Sequence, residues 1–380
     1  MGMNTDKLDR FLDEMPLRGL PGCDLSVTRN GREVYRRTVG YSDAEMKRPV
    51  DHDTLWWIFS ASKVITCTAA MRLVEEGRLK LTDKVSDYLP AFGSLTVRQK
   101  DGTVVPATEP MRIVHLFTMT GGMDYDLNAP EITGAIAAGH TDTVSLCSAM
   151  ASRPLWFEPG THYRYSLCHD VLAAVIEVVT EMKFSDYLRE LMFEPLGMTE
   201  TGFRPTAEQL SRFAQAFEYN NADGSIKPIA IGNGRYALTP DYDSGGAGLF
   251  TKVDDYIKVV TALACDGTSP NGYMLLRPET IAEMEVNRLC PAAWKDYVNH
   301  KLFGYGWGLC GRVHVNPVRS LSRSSVGEFG WDGAQAAFTM VDRKTRTALY
   351  FGTQVANCTI APTVLHPVLR NLVFEMLDEK

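Results

Sequence analysis

Strand-like patterns lie near both ends of this chain, and helical patterns fill most of the sequence between them. Near the start, residues 24–28 and 33–39 alternate in polarity on either side of Asn30-Gly31, which is typical of a β-hairpin. Near the end, further strand-like runs lie at residues 309–315, 336–341 and 347–353. Strands so far apart in the sequence can share a sheet only if the two ends of the chain meet. The pattern therefore predicts an α+β fold with one antiparallel sheet that is built from both termini and flanked by helices.

The middle of the chain has a different pattern. Residues 81–204 contain segments with helical periodicity, separated by proline and glycine turns, and show little alternation of polarity. We expect this stretch to form a mainly helical domain that is inserted into a discontinuous sheet domain, residues 1–80 and 205–380. A cleft would then lie between the two domains, with the helix predicted at residues 62–76 on its edge.

The composition excludes several classes of function. The chain has 380 residues, of which 45% are hydrophobic and 22% charged, so it can bury a large core. The formal net charge of −7 and the lack of a basic run argue against nucleic acid as a partner and against a polybasic membrane anchor. No apolar run is long enough to predict a membrane span, and no apolar segment at the start predicts a signal peptide.

The cysteines and histidines also carry information. The eight cysteines are scattered and include no C-x-x-C pair, which together with the missing signal peptide favours free thiols in a reducing compartment. We therefore expect a cytoplasmic protein. The eight histidines show no paired metal-binding spacing, so the sequence predicts no metal site.

The run Ser60-Ala61-Ser62-Lys63 stands at the start of a helical pattern that ends at Gly77. Residues three apart on a helix lie on the same face, so the Lys63 amine can reach the Ser60 hydroxyl. The helix N-terminus adds partial positive charge and N–H groups, which favour loss of the serine proton and can hold an oxyanion. The S-x-x-K pattern is short and also occurs by chance, so a catalytic pair needs further partners in the chain.

Two later segments could supply those partners. Tyr165 could act as a proton carrier, because a nearby lysine cation favours the phenolate; the alternative is a half-buried tyrosine that packs at the start of a helix. In the segment that begins at Trp331, Gly333 would permit close approach of the backbone to a ligand, and the Ala334 N–H could be a second oxyanion donor. Here the alternative is a β-bulge with a packed tryptophan.

In this order, the three segments resemble the active-site motifs of the serine β-lactamase and penicillin-recognising superfamily. The resemblance is closest to its class C-like branch, which includes the family VIII carboxylesterases, and it covers nearly the whole chain. Residues 75–85, 113–123, 195–198 and 245–249 are also similar to segments of that branch. The resemblance implies a β-lactamase-like fold, with the active site in the cleft between the sheet and the helical region.

The resemblance also implies a role for each matched residue. Ser60 would attack an acyl carbonyl, and Lys63 and Tyr165 would share the role of general base. Tyr165 would later protonate the leaving group, and the backbone N–H groups of Ser60 and Ala334 would form the oxyanion hole. Neither a metal nor an organic cofactor is implied, and the expected partner is a small-molecule ester. The sequence does not indicate an oligomeric state.

Two departures from the β-lactamase pattern favour esters over β-lactams. Leu167 stands where β-lactamases usually have the asparagine of Tyr-x-Asn, and Trp331 stands where they have the lysine of Lys-Thr-Gly. A lysine binds the carboxylate of a β-lactam by charge, which an indole cannot do. We therefore predict a serine hydrolase for carboxylic esters with small or medium acyl groups, in which Trp331, Gly333 and Tyr125 contribute to substrate binding.

Several alternatives stay open. The chain could be a β-lactamase, a D-aminopeptidase or a transpeptidase-like hydrolase, an acyltransferase, or a penicillin-binding-like sensor without catalysis. Two other motif-like segments carry little weight. Lys344-Thr345-Arg346 lacks the glycine of Lys-Thr-Gly and lies in a predicted turn. Residues 306–311 fit a dinucleotide-binding pattern, but no strand precedes them and no helix follows them.

Overall fold

The computed structural model describes residues 3–230, 232 and 236–378 of the chain. Within them the α-helices are, in chain order, α1 (Asp6–Asp13), α2 (Ser62–Glu75), α3 (Ile113–Phe117), α4 (Pro130–Ala137), α5 (Thr143–Ala149), α6 (Cys168–Thr180), α7 (Phe184–Leu188), α8 (Glu194–Leu196), α9 (Ala207–Ser211), α10 (Val253–Ala264), α11 (Pro278–Met284), α12 (Pro291–Tyr297), α13 (Pro317–Ser320) and α14 (His366–Asp378).

The β-strands of the described residues are β1 (Gly22–Arg29), β2 (Arg32–Gly40), β3 (Trp56–Trp57), β4 (Thr96–Arg98), β5 (Val104–Pro106), β6 (Ala216–Tyr219), β7 (Ile226–Ile229), β8 (Phe250–Thr251), β9 (Tyr305–Trp307), β10 (Arg312–His314), β11 (Phe329–Gly330), β12 (Phe338–Asp342), β13 (Thr347–Thr353) and β14 (Val355–Ala356).

The main sheet has seven strands in the order β2-β1-β13-β12-β11-β10-β9, and its paired strands run antiparallel. Strand β1 lies between its hairpin partner β2 and strand β13 from the other end of the chain, with Leu25 opposite both Arg37 and Phe351. Asn30 and Gly31 join β1 to β2 with left-handed φ angles of 54° and 76°, as a two-residue hairpin turn requires. The predicted antiparallel sheet built from both termini is confirmed.

Strand β13 shows why the sheet needs helices on both faces. All of its residues are buried, and successive side chains point to opposite faces. Leu349 and Phe351 belong to a buried cluster that includes α1 and α14, whereas Ala348 and Tyr350 belong to the cluster on the other side. There the ring of Tyr350 stacks on Tyr256 of α10 with centroids 4.2 Å apart. The helices on the two faces therefore exclude water from the whole central strand.

Two strands near the C-terminus are shorter than the sequence predicts. The run expected at residues 309–315 is limited to β10, because Gly311 adopts a φ of 125° and its carbonyl accepts a hydrogen bond from the Gly308 N–H at 2.8 Å. This tight turn separates β10 from β9. The run expected from residue 336 begins at Phe338 instead, because Ala336 has a left-handed φ of 68°. The motif-like residues 306–311 are thus parts of a sheet hairpin.

A short strand pair anchors the segment that leads into α2. Strand β3 pairs with β8, and the Ile58 N–H then donates to the carbonyl of Leu249 at 3.1 Å. Trp57 packs against the rings of Phe213 and Phe250, with centroids 5.1 Å and 5.7 Å away. Helix α2 itself is buried along most of its length. The residues between β3 and α2, which contain the first sequence motif, are therefore held at both ends.

The region between α2 and α10 is organised around α6. This helix packs against α2, α3 and α5, and it is buried from Cys168 to Ile176. The buried cluster that contains α6 also contains residues of α2, α10 and the sheet. The division into a helical domain and a sheet domain therefore stays a prediction.

Two further findings concern the whole of the described chain. All eight cysteines lie within the described residues, and each is a free thiol there. Within the described residues, no helix combines the length and the apolar character that crossing a membrane requires.

Candidate active site

Ser60 lies in a 3₁₀ turn, Phe59–Ala61, that leads directly into α2. Phe59 has a left-handed φ of 46°, a conformation that costs about 1–2 kcal/mol for a residue with a Cβ. The Phe59 side chain is buried and meets the ring of Tyr236 edge-on at 5.6 Å, so packing holds the strained turn. Backbone strain of this kind is concentrated at functional sites. The turn places Ser60 at the N-terminal end of α2, where the sequence predicts it.

Lys63 is fully buried, and its ammonium group is the polar centre of the site. Its Nζ donates to the carbonyl of Gly246 at 2.7 Å and lies 3.4 Å from both Ser60 Oγ and Tyr125 Oη. It also lies 4.6 Å from the ring centre of Tyr165, over the aromatic face. Among the described residues, the direct contacts of this buried cation are thus a carbonyl, hydroxyls and aromatic rings, which hold it beside the serine.

Tyr165 and Tyr125 form a stacked pair, with ring centroids 5.5 Å apart and planes within 9° of parallel. The Oη of Tyr165 accepts a hydrogen bond from Trp331 Nε1 at 2.9 Å, so its oxygen lies between the second and third motifs. Tyr125, which the sequence analysis expects at the substrate pocket, contacts Lys63 and Tyr165. The structure therefore brings Lys63, Tyr165 and Trp331 together from three distant parts of the chain.

The loop that begins at Trp331 lies against the first motif. A Cβ on Gly333 would lie 2.6 Å from the carbonyl oxygen of Ile58, so only glycine lets the loop come this close to the residues before Ser60. Among the described residues, no group accepts a hydrogen bond from the Ala334 N–H. This leaves the N–H available to a ligand in the cavity that Ala334 lines.

One cavity of about 390 Å³ contains most of these groups. Its wall includes Ser60, Tyr165, Trp331, Gly333 and Ala334. The rest of the wall consists of Leu302, Asp332, Ala336, Asn357, Cys358, Thr359, Pro362 and His366. Neither lysine nor arginine stands among the lining residues of the described chain, so the cavity offers no such cation to an anionic substrate group.

The glycine-rich bend that begins at Gly245 supplies the carbonyl that holds Lys63. The Gly245 carbonyl itself accepts a hydrogen bond from Thr66 Oγ1 at 2.6 Å, so the bend lies along α2. A Cβ on Gly246 would lie 2.4 Å from Asp170 Oδ2. Glycine at this position therefore lets the bend pass between α2 and the start of α6.

A buried ionic network lies behind the third motif. Arg312 is almost fully buried and contacts Asp332 Oδ1 at 2.6 Å and Glu328 Oε1 at 3.3 Å. The ring of His366 faces Asp332 Oδ2 at 3.3 Å and the carbonyl of Ala336 at 3.0 Å. Burial raises the pKa of Asp332, but Arg312 and His366 outweigh this effect and hold the pKa below its ordinary value. The network therefore fixes both ends of the loop that carries Ala334.

The residues that follow Tyr165 are unsuited to proton transfer at neutral pH. Burial, followed by the charge of Lys63, lowers the pKa of His169 to about 3, so its imidazole is neutral. Its Nε2 lies 3.2 Å from the carbonyl of Phe117. Burial raises the pKa of Cys168 to about 11, which keeps it a thiol. Neither residue competes with Ser60 as nucleophile or with Lys63 as base.

Sequence reasoning missed Asp170 and the Gly246 carbonyl as members of this site. Asp170 is the carboxylate in a buried run of α6, Cys168 to Ile176, that is otherwise mainly apolar. That contrast is a signal that could have identified it. The carbonyl of Gly246 has no side-chain signature, so nothing in the sequence indicates its contact with Lys63.

Comparisons with known proteins agree with the fold and the motifs. The profile of the Beta-lactamase family matches residues 8–357. Esterase EstB from Burkholderia gladioli is 31% identical over 371 residues, which cover 89% of this chain and 87% of that protein. Lovastatin esterase from Penicillium rubens is 29% identical over 294 residues, which cover 74% of this chain and 72% of that protein.

A solved structure extends the similarity to three dimensions. EstCE1, described as a hydrolase with promiscuous acyltransferase activity, is 26% identical and has a TM-score of 0.78. The alignment covers 97% of this chain and 98% of that one. It confirms the predicted β-lactamase-like fold. The chain therefore belongs to the Beta-lactamase family, within the superfamily of serine β-lactamases that its motifs resemble.

Proposed function

We propose that this protein is a serine hydrolase that cleaves carboxylic esters through an acyl-enzyme on Ser60. The observation that supports it most directly is that Ser60 and Tyr165 line one cavity, with the buried Lys63 amine behind them and close to both. Lys63 Nζ lies 3.4 Å from Ser60 Oγ and 4.6 Å from the Tyr165 ring centre, which is close enough for a shared general base. Two relatives, EstB and lovastatin esterase, are named as esterases.

In the proposed acylation step, Ser60 Oγ attacks the acyl carbonyl. Its single proton passes to the general base that Lys63 and Tyr165 share. The Oη of Tyr165, which accepts a hydrogen bond from the Trp331 indole, then returns a proton to the leaving alcohol. The N–H groups of Ser60 and Ala334 bind the oxyanion, each contributing about 3 kcal/mol to the transition state. Water then attacks the acyl-enzyme by the same proton path and releases the acid.

The cavity supports esters with small or medium acyl groups as substrates. It has a volume of about 390 Å³, and Trp331, Leu302 and Pro362 give it an apolar wall. Leu167, in the place of the usual amide, is only 3% exposed and packs in the core. A β-lactam would therefore lack both the amide and the lysine that bind its polar groups in β-lactamases.

Replacement of the nucleophile tests this function. Ser60→Ala should abolish turnover of p-nitrophenyl butyrate and covalent labelling by a fluorophosphonate, with an unchanged circular dichroism spectrum. Ser62→Ala is the matched control, because the Ser62 hydroxyl accepts a hydrogen bond from the Leu249 N–H and its role is in packing. That variant should still be labelled. Activity of Ser60→Ala close to that of the wild type would refute the assignment.

Acyl transfer is the second candidate. EstCE1, 26% identical to this chain, is described as a hydrolase with promiscuous acyltransferase activity. Addition of an alcohol or an amine acceptor, followed by measurement of transfer product against free acid, separates the two outcomes. A cephalosporin and a D-alanyl amide in the same substrate panel test the β-lactamase, D-aminopeptidase and transpeptidase alternatives. A sensor that acylates slowly or not at all would turn over none of these substrates, and its Ser60 would stay unlabelled by the fluorophosphonate.

A further inference from the structure

Asp170 is a fully buried carboxylate in the first turn of α6. Its Oδ1 accepts hydrogen bonds from Ser244 Oγ at 2.6 Å and from Tyr242 Oη at 2.9 Å. Its Oδ2 has no hydrogen bond of full geometry and faces the backbone of Gly246. A carboxylate taken out of water with only hydroxyl donors is costly unless a positive charge lies nearby. We therefore expect a positively charged group close to Asp170.

The two hydroxyl groups connect Asp170 to the glycine-rich bend. Ser244 Oγ accepts a hydrogen bond from the Ala247 N–H at 3.1 Å and also donates to Asp170, so one hydroxyl ties the bend to the carboxylate. Within the bend, the Gly246 carbonyl accepts the hydrogen bond from Lys63 Nζ at 2.7 Å. This series of contacts joins the Asp170 carboxylate to the amine beside the nucleophile.

Lys63 is the basic group that faces Asp170 from the surrounding elements. The other titratable groups that interact with this carboxylate or lie next to it are Cys147 of α5, Cys168 and His169 of α6, Tyr242, and Tyr125 across Gly246. Burial raises the pKa of Asp170, while Ser244, Lys63 and Tyr242 oppose that rise. Among these groups, Lys63 thus provides the positive charge that interacts with the Asp170 carboxylate.

We propose that Asp170 is a positioning residue that provides the buried counter-charge of Lys63 and fixes the Gly246 carbonyl to which the lysine binds. The proposal rests on the proposed function, because it assigns a role around the Lys63–Tyr165 base. Asp170 does not line the substrate cavity and acts through Lys63.

Asp170→Asn tests the charge, because an amide of nearly the same shape can still accept hydrogen bonds from Ser244 and Tyr242. We expect kcat to fall about 10–100-fold, because a weaker base accepts the serine proton more slowly, while KM stays within about threefold. Removal of the negative charge favours loss of a proton from the Lys63–Tyr165 pair. The ascending limb of kcat/KM against pH should therefore move to lower pH by about one unit.

Ser244→Ala and Tyr242→Phe are the matched controls, because each removes one hydrogen bond to Asp170 and keeps its charge. They should lower kcat several-fold without moving the ascending limb. The rate of fluorophosphonate labelling at each pH reports the reactivity of Ser60 without any ester substrate. A wild-type enzyme that is not labelled at Ser60 would refute the proposed function itself, and so this outcome is distinct from a failure of the Asp170 proposal.

A loss of rate in Asp170→Asn at every pH, with no shift of the limb, would overturn the proposal. If Asp170→Asn does not fold, the thermal unfolding of Lys63→Met and Lys63→Met/Asp170→Asn decides the question. The double variant should have the higher Tm at pH 8, because it no longer buries a carboxylate that has lost its cation. A double variant that is no more stable than Lys63→Met would also overturn the proposal.

Discussion

Two buried cations, Lys63 and Arg312, lie near the residues of the same cavity and are contacted by different kinds of group. Lys63 contacts a carbonyl at 2.7 Å and two hydroxyls at 3.4 Å. Arg312 instead contacts the carboxylates of Asp332 and Glu328 at 2.6 Å and 3.3 Å. The side chains of both cations are almost completely buried. Burial alone therefore does not distinguish the two cations, whereas the presence of carboxylates in direct contact does.

A histidine lies near each cation, and the two histidines also have different neighbours. His169 lies near Lys63, and burial together with that positive charge keeps its imidazole neutral. His366 lies beside Asp332, whose carboxylate faces its Nδ1 at 3.3 Å. The positive charge of Lys63 thus disfavours a second one at His169, whereas the imidazole of His366 lies against a carboxylate. The Arg312 network supports the loop of the third motif, whereas Lys63 lies 3.4 Å from the Ser60 hydroxyl with no carboxylate in direct contact.

The largest effect that we expect is on catalysis by Lys63. Lys63→Met should lower kcat by about 10³-fold, because general-base catalysis is lost. The free energy of unfolding should fall by less than in Arg312→Met, because Lys63 has no carboxylate in direct contact. Ester turnover and urea unfolding measure the two quantities. Lys80→Met, at an exposed lysine, is the control and should leave both unchanged. Activity of Lys63→Met within tenfold of the wild type would remove the distinction between the two cations.

Arg312→Met should show the reverse result, a large loss of stability. It removes the cation that directly contacts the buried carboxylates of Asp332 and Glu328, which should lower the free energy of unfolding by about 3–5 kcal/mol. The control is Arg189→Met, because Arg189 forms its ion pairs on the surface, where such pairs contribute little to stability. Urea unfolding measures both variants. Equal effects of the two replacements would show that the Arg312 network does not support the fold.

Acid should destabilise the folded protein in part through His169, the histidine near Lys63. The pKa of His169 is about 3 in the folded protein, below its ordinary value of 6.5, so between these values only the unfolded chain binds the proton. The folded state therefore loses about 1.4 kcal/mol of stability for each unit of pH below 6.5 through this group, until the pH approaches 3. His169→Gln should reduce the slope of unfolding free energy against pH between pH 6 and 4. Identical slopes for the two proteins would contradict the assignment.

The smallest effect concerns the hydrogen bond that links the third motif to Tyr165. Trp331→Phe removes the Nε1 donor, 2.9 Å from Tyr165 Oη, and should lower kcat/KM about five- to tenfold, as expected for one hydrogen bond of about 1 kcal/mol. Trp307→Phe is the matched control, because Trp307 Nε1 donates at the same distance to the carbonyl of Phe117. That variant should lose stability with a smaller effect on rate. Equal losses of rate would show that the contact with Tyr165 has no special role.

Much of the fold could be predicted because its signals are local. The alternation of polarity around Asn30-Gly31 predicts the hairpin of β1 and β2, and the helical pattern before Gly77 predicts α2. The prediction was less accurate where tertiary contacts set the backbone. Strand β10 is shortened by the turn at Gly311. Strand β12 begins at Phe338 rather than Ala336, because Ala336 adopts a left-handed conformation that the residue pattern does not predict.

By itself, the sequence determined the pairing of Ser60 with Lys63, since a spacing of three at the start of a helix brings two side chains together through local geometry alone. Only the tertiary structure decided what surrounds the lysine. Its contacts with Tyr125 and Gly246 join residues that are 62 and 183 positions apart in the chain. A backbone carbonyl carries no side-chain signal, and the charge balance of a buried group depends on which distant segments exclude water from it.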